Sequence, residues 1–184
     1  MAEFVDRSCQ RFLPGVNLTL DDIVRTYSDA LVRFAFSYVR NSAVAEDVAA
    51  DAMAVFILKA KKFPEEAHLR AYLYKIAKSK AMDYLRRHKN DVPLEDVENI
   101  LSTGSLEQDL MDQQRDMALY RCLAILPQQY ALVLQLSYLE DLPIKDVCDI
   151  MKLSSKQVYN LLSRAKTSLR LLLEKEGITR EDLS

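Results

Sequence analysis

Glycine stands at only three of the 184 positions, Gly15, Gly104 and Gly177, and each lies outside the periodic segments of the chain. A chain this poor in glycine is poor in tight turns. Between the glycines good helix formers dominate, and apolar residues recur at spacings of three and four. Hydrophobic residues make up 49% of the sequence, which excludes a disordered chain, and the length suits one domain or two small ones. The predicted fold is all-α.

Charge divides that helical chain. Residues 21–90 hold 13 Lys/Arg against 9 Asp/Glu, residues 91–118 hold one (Arg115) against eight, and residues 119–184 hold nine against eight. The middle stretch also contains Pro93, Ser102, Thr103, Gly104 and Ser105. This predicts two helical domains, 18–90 and 115–177, joined by an acidic linker over 91–114. The linker either serves solubility alone or competes with a polyanion for basic surface.

In the first domain Thr19-Leu-Asp-Asp22 has the form of a capping box. The helix it opens carries Ile23, Tyr27, Ala30, Leu31, Phe34 and Tyr38 on one face and ends near Asn41-Ser42. A second helix, Ala43 to about Lys62, sets Val44, Val48, Ala52, Val55, Phe56 and Leu58 inward, with Glu46, Asp47 and Asp51 upon it. Asp47 and Asp51 are four residues apart and share a face. No histidine or convergent polar group supports acid–base catalysis there, which leaves a solvated acidic face or a patch that docks on a basic protein.

Phe63-Pro64 breaks that helix. The next one is the most unusual in an otherwise slightly acidic protein. Between His68 and Lys89 it carries seven bases (Arg70, Lys75, Lys78, Lys80, Arg86, Arg87, Lys89), one acid (Asp83) and three tyrosines (Tyr72, Tyr74, Tyr84). Leu69, Leu73, Ala77, Ala81 and Tyr84 form its core arc, while Tyr72, Lys75, Ser79, Asp83 and Arg86 gather on another. Bases attract a phosphate backbone and rings offer platforms for unstacked bases, so the second arc reads as a nucleic-acid face or a solvated one.

In the second domain Leu119–Leu126 reads as a short helix, with Pro127 in the first turn of a helix running from Gln128 to Leu139. Its apolar positions are Tyr130, Ala131, Leu134, Leu136 and Leu139. Pro143 opens a helix with Ile144, Val147, Cys148 and Met151 inward. After a turn at Lys152-Leu153, Ser154-Ser155-Lys156-Gln157 repeats the capping-box form, and a long helix runs to about Glu176, with Gly177 as its cap. Two helices with so short a turn make a helix-turn-helix pattern, shared by DNA readers and plain helical hairpins. Val158, Leu161, Leu162, Ala165 and Leu169 would pack. Ser155, Lys156, Gln157, Tyr159, Asn160 and Ser163 would be exposed, with Arg164, Lys166 and Arg170 nearer phosphates. Gln157 and Asn160 carry amides suited to adenine edges.

Three cysteines (Cys9, Cys122, Cys148) without a CxxC pair, and two separated histidines, offer no metal-site spacing, and no cofactor motif is present. No apolar run reaches the length of a membrane span, and the acidic N-terminus lacks a signal peptide's order, so a cytoplasmic location is expected.

The order of basic aromatic helix, acidic linker and helix-turn-helix resembles the extracytoplasmic-function (ECF) sigma factors, bacterial transcription initiation factors. The likeness rests on Tyr27 to Tyr38, Glu46–Ala52 (EDVAADA), Leu69–Ala77 (LRAYLYKIA), Asp83–Arg87 (DYLRR), Leu126-Pro127, Tyr138–Leu142 (YLEDL) and Leu161–Ala165 (LLSRA). The resemblance implies a sigma region 2 helical bundle that binds core RNA polymerase and opens the −10 element, and a region 4 helix-turn-helix that reads the −35 element. It places Asp47 and Asp51 against the β′ subunit, with β a further polymerase contact. Tyr72, Lys75, Ser79 and Arg86 fall on −10 DNA, with the Phe63–His68 loop near the pocket for a flipped base. Lys156, Gln157, Tyr159, Asn160, Arg164 and Lys166 fall on −35 DNA. It further implies an anti-sigma partner and no enzymatic activity. The chain departs from the family pattern at Ala50, where Gln is common, at Ser79, where Asn is common, and at Tyr159 and Leu161, near which bases are usual. A stand-alone helix-turn-helix regulator and a protein-binding helical adaptor are the alternatives.

Overall fold

The computed structural model describes residues 13, 16, 18–59, 63–88 and 119–175. The chain divides into two compact units, residues 1–94 and 95–184, and every regular element among the described residues is helical. The expected acidic linker, Cys9 and the Gly177 cap lie outside the described residues.

The first unit packs three helices pairwise, α1 (Leu20–Val39), α2 (Ser42–Lys59) and α3 (Glu66–Arg87). The predicted capping box starts α1. Thr19 Oγ1 accepts from the Asp22 amide (3.1 Å), and Asp22 Oδ2 accepts from the Thr19 amide (3.0 Å) and hydroxyl (2.7 Å). These bonds from Thr19, side chain first, hold the Asp22 carboxyl below its usual range. Arg40 ends the helix in the left-handed region (φ 53°), its amide donating to Phe36 O. Asn41 then restarts the chain, with Oδ1 accepting from Val44 N at 2.9 Å.

Ile23, Leu31 and Phe34 of α1, Ala52 and Phe56 of α2, and Leu69, Leu73, Tyr74, Ala77 and Ala81 of α3 are fully buried. Alanines at the contact positions of α2 and α3 let those axes approach closely. Two side chains depart from expectation. Leu58 is 84% exposed, because it stands two residues, about 200°, from buried Phe56, and Met53 fills the inner position instead. Tyr74 is no platform for bases: it lies within about 60° of Ala71, Ala77 and Ala81 on the core arc. Its ring packs edge-on against Phe34 at 4.9 Å.

The second unit runs from a helical stretch at 119–125 through α4 (Gln128–Leu134), α5 (Ile144–Met151) and α6 (Ser155–Lys175), with α4 and α5 both packed on α6. Pro127 stands at the cap of α4 (φ −50°, ψ 136°), one position before the expected first turn. Its carbonyl accepts from Tyr130 and Ala131. Pro143 does the same for α5.

Where a single helix to Leu139 was expected, α4 continues as a π-helical turn, Gln135–Leu139, closed by Glu140 N donating to Gln135 O (3.0 Å). Within this turn Tyr138 and Leu139 are 53% and 40% exposed, following six consecutive buried residues from Ala131 to Leu136. Ile150, not Met151, is the fully buried residue late in α5. Lys152 takes the left-handed turn (φ 58°), and a three-residue connection leads into α6. The helix-turn-helix is thus formed.

Candidate nucleic-acid interface

On α3, Lys75, Ser79 and Arg86 are exposed and Tyr72 is half-buried. Tyr72 is the outermost of three rings. Phe63, held just ahead of the helix-breaking Pro64, lies 5.6 Å from it at 46°, and Phe56 of α2 lies 6.1 Å away at 53°. Phe56 and Phe63 stack at 5.9 Å beneath. The cluster gives Tyr72 an apolar floor, and the ring is partly exposed. Arg86 Nη2 donates to Asp83 Oδ1 at 2.9 Å, so one acid on this face orients one of its bases.

The start of α3 is tied from outside. Its cap residue Glu65 makes no side-chain capping bond. Instead the Tyr27 hydroxyl donates to Glu66 Oε1 at 2.5 Å, and Arg70 Nη1 lies 3.6 Å from the same carboxylate. Burial first, and Glu66 second, push the Tyr27 hydroxyl well above its ordinary range, so it stays a donor. This tie anchors the end of the Phe63–His68 segment to α1.

On α2, Glu46, Asp47 and Asp51 are exposed. Asp47 and Asp51 share a face, and Asp51 Oδ2 accepts from Lys80 Nζ of α3 at 3.2 Å. The acidic and basic helices are therefore bridged by an ion pair that sequence spacing did not reveal.

On α6, Lys156, Gln157, Tyr159, Asn160, Ser163, Arg164, Lys166 and Arg170 are all exposed, and Val158, Leu162 and Ala165 are buried beneath them. The structure thus brings the predicted reading residues onto one helix face. Gln157 also caps its own helix. Its Oε1 accepts from the Ser154 amide (2.8 Å) and hydroxyl (2.9 Å), while its own amide donates to Ser154 Oγ. With its carbonyl used in the cap, it lacks the free acceptor that a bidentate adenine contact needs, and Asn160 is the better placed amide. Lys166 Nζ rests over the Tyr138 ring at 4.5 Å. Arg170 pairs with Glu174.

Among the described residues no cluster of three or more His, Cys, Asp or Glu could hold a metal ion, and no helix is long and apolar enough to cross a membrane.

Family models for sigma-70 region 2 and sigma-70 region 4 match residues 23–90 and 116–169, together about two thirds of the chain. The ECF RNA polymerase sigma factor SigM of Bacillus subtilis is 24% identical over 156 residues, covering 84% of this chain and 95% of that protein. The RNA polymerase sigma factor SigV of the same organism is 29% identical over 149 residues, covering 80% and 86%. Among solved structures, the sigma factor RpoE bound to the anti-sigma factor NepR from Bartonella quintana superposes with a TM-score of 0.63 at 18% identity, covering 84% of this chain and 96% of that one. CnrH bound to the cytosolic domain of CnrY gives 0.53 at 19%, covering 85% and 88%.

Proposed function

The chain belongs to the ECF sigma factors and is an alternative sigma factor directing transcription initiation, and on that premise we propose how its two units divide the work. The unit over 18–90 docks on core polymerase through Asp47 and Asp51 of α2, whose carboxylates meet basic groups of β′. Docking exchanges Lys80 for a polymerase cation at Asp51.

The same unit opens the −10 element with α3. Lys75 and Arg86 neutralise backbone phosphates, Ser79 offers a small hydroxyl at the groove, and Tyr72 props the parted duplex. A base extruded there loses stacking and pairing, and a ring held on an apolar floor replaces part of that loss. The observation that carries this reading is the Phe56–Phe63–Tyr72 cluster, which holds a half-buried ring one helical turn from exposed Lys75. A solvated helix face has no need of such a floor.

The unit over 115–177 reads the −35 element. Asn160 and the remaining donor of Gln157 address base edges, Tyr159 flanks the groove, and Lys156, Arg164 and Lys166 hold the backbone. Residues 91–114 tether the units. Sigma factors are regulatory initiation factors; this chain carries no reaction of its own, and the polymerase supplies the chemistry in the cytoplasm. The RpoE complex with the anti-sigma factor NepR favours an anti-sigma protein as a further partner. The stand-alone regulator is not favoured, since both sigma regions are matched.

Reconstitution tests the division. The chain mixed with core polymerase co-elutes with it and gives a defined run-off start on the DNA upstream of its own gene. Asp47→Lys with Asp51→Lys abolishes co-elution while leaving the isolated chain folded. Normal co-elution of that variant would remove both carboxylates from the docking surface.

A further inference from the structure

Tyr138 belongs to none of the contacts assigned above, yet its placement is unusual. Every residue from Ala131 to Leu136 is buried, and the chain reaches the surface only after them. Tyr138 lies in the π turn Gln135–Leu139 that closes this helix, and its ring is 53% exposed. It emerges under Lys166 of α6, whose ammonium lies 4.5 Å from the ring centroid. Lys166 is one turn beyond buried Leu162 and shares an edge of α6 with Tyr159, seven residues earlier and about 20° away. That edge borders the face carrying Asn160, Ser163 and Arg164.

We propose that Tyr138 is a positioning residue for −35 recognition, holding the Lys166 ammonium at the groove edge for a backbone phosphate. This rests on the reading of α6 as the −35 helix. A lysine on a four-carbon stem spreads its charge over many rotamers and surrenders that freedom on meeting a phosphate. A ring face attracts the ammonium and restricts the stem beforehand, while the side of the ammonium turned from the ring keeps its donors. The π turn that ends this short helix thereby carries a ring that meets a side chain of another helix.

The contact is of the exposed kind, so its loss weakens binding about two- to fivefold. The test is a double-mutant cycle on holoenzyme reconstituted from the full chain and core polymerase. The probe is a labelled duplex of the promoter that wild-type holoenzyme selects from a pool randomised at the −35 element. Lys166→Gln weakens binding and lowers the slope of log affinity against log salt by about 0.9, one phosphate's worth. Tyr138→Leu weakens binding two- to fivefold, Tyr138→Phe binds as wild type, and Tyr138→Leu has no further effect once Lys166→Gln is present. Loss on Tyr138→Leu that persists in the Lys166→Gln background would mean a merely structural role and overturn the proposal. So would a neutral Tyr138→Leu beside a damaging Lys166→Gln. A neutral Lys166→Gln would remove Lys166 from the DNA contacts altogether, and the proposal would fall with that reading.

Discussion

Replacing Phe56 by leucine separates the core role of the three-ring cluster from its role in opening DNA. Phe56 is fully buried, stacks on Phe63 at 5.9 Å and meets Tyr72 at 6.1 Å. Each aromatic pair contributes about 0.5–1.5 kcal/mol beyond its buried area, so losing two costs about 1–3 kcal/mol. Leucine keeps most of the apolar contact, so a cavity of the size left by alanine, costing about 3–5 kcal/mol, is avoided. Against a typical stability of about 5–15 kcal/mol the variant stays folded.

Base–aromatic stacking is worth about 1–3 kcal/mol per base, and a Tyr72 ring without its floor gives up part of it. Open-complex formation, read by permanganate reactivity of −10 thymines, should fall about three- to tenfold, while affinity for core polymerase stays within about twofold. Ile23→Val, in α1 and costing about 0.5–1.5 kcal/mol, is the control for destabilisation alone. If Phe56→Leu and Ile23→Val opened DNA equally well, the ring floor would have no part in melting.

Three other outcomes are expected. Lys80→Met removes the partner of Asp51, and since such exposed pairs are worth about 0.2–1 kcal/mol, core polymerase should bind up to about fivefold tighter, an effect that Asp51→Asn abolishes; titration of labelled core decides it. Ser154→Ala should lower the stability of the full chain by about 1 kcal/mol in urea, whereas Gln157→Glu keeps the capping box and leaves stability unchanged. The Asp22 carboxyl is depressed by Thr19, so its contribution to stability is complete above its unfolded value of 3.8 and is lost as pH falls through the folded value. Asp22→Asn should therefore flatten the acid limb of the stability–pH curve and leave the neutral range parallel to wild type.

What could be read from the sequence was local. Both capping boxes, Thr19 with Asp22 and Ser154 with Gln157, depend on residues three apart, and both form with the expected bonds. The helix-turn-helix and the exposed face of α6 follow from periodicity in the same way. What escaped depends on contacts far apart in sequence or on phase. The three tyrosines of α3 are chemically alike, yet the core takes Tyr74 and leaves Tyr72 at the surface, because the arc around Ala77 and Ala81 includes one and not the other. The floor beneath Tyr72 joins Phe56, Phe63 and Tyr72 from two helices and a loop, and the Asp51–Lys80 pair spans 29 positions. The π turn had no signal in composition. Leu142 N also reaches back to Leu136 O, and Tyr138 lies in the turn, exposed after six consecutive buried residues.

The central claim is that one face of α3 opens promoter DNA while a face of α2 holds the polymerase. The most direct measurement compares Lys75→Ala/Arg86→Ala with wild type in a single reconstituted system, reading core affinity by titration and −10 melting by permanganate. Unchanged core affinity with melting reduced at least about tenfold is the predicted result, since two phosphate contacts are lost. Normal melting by the double variant would contradict the account, and an equal loss of core affinity and melting would place these bases on the polymerase rather than on DNA.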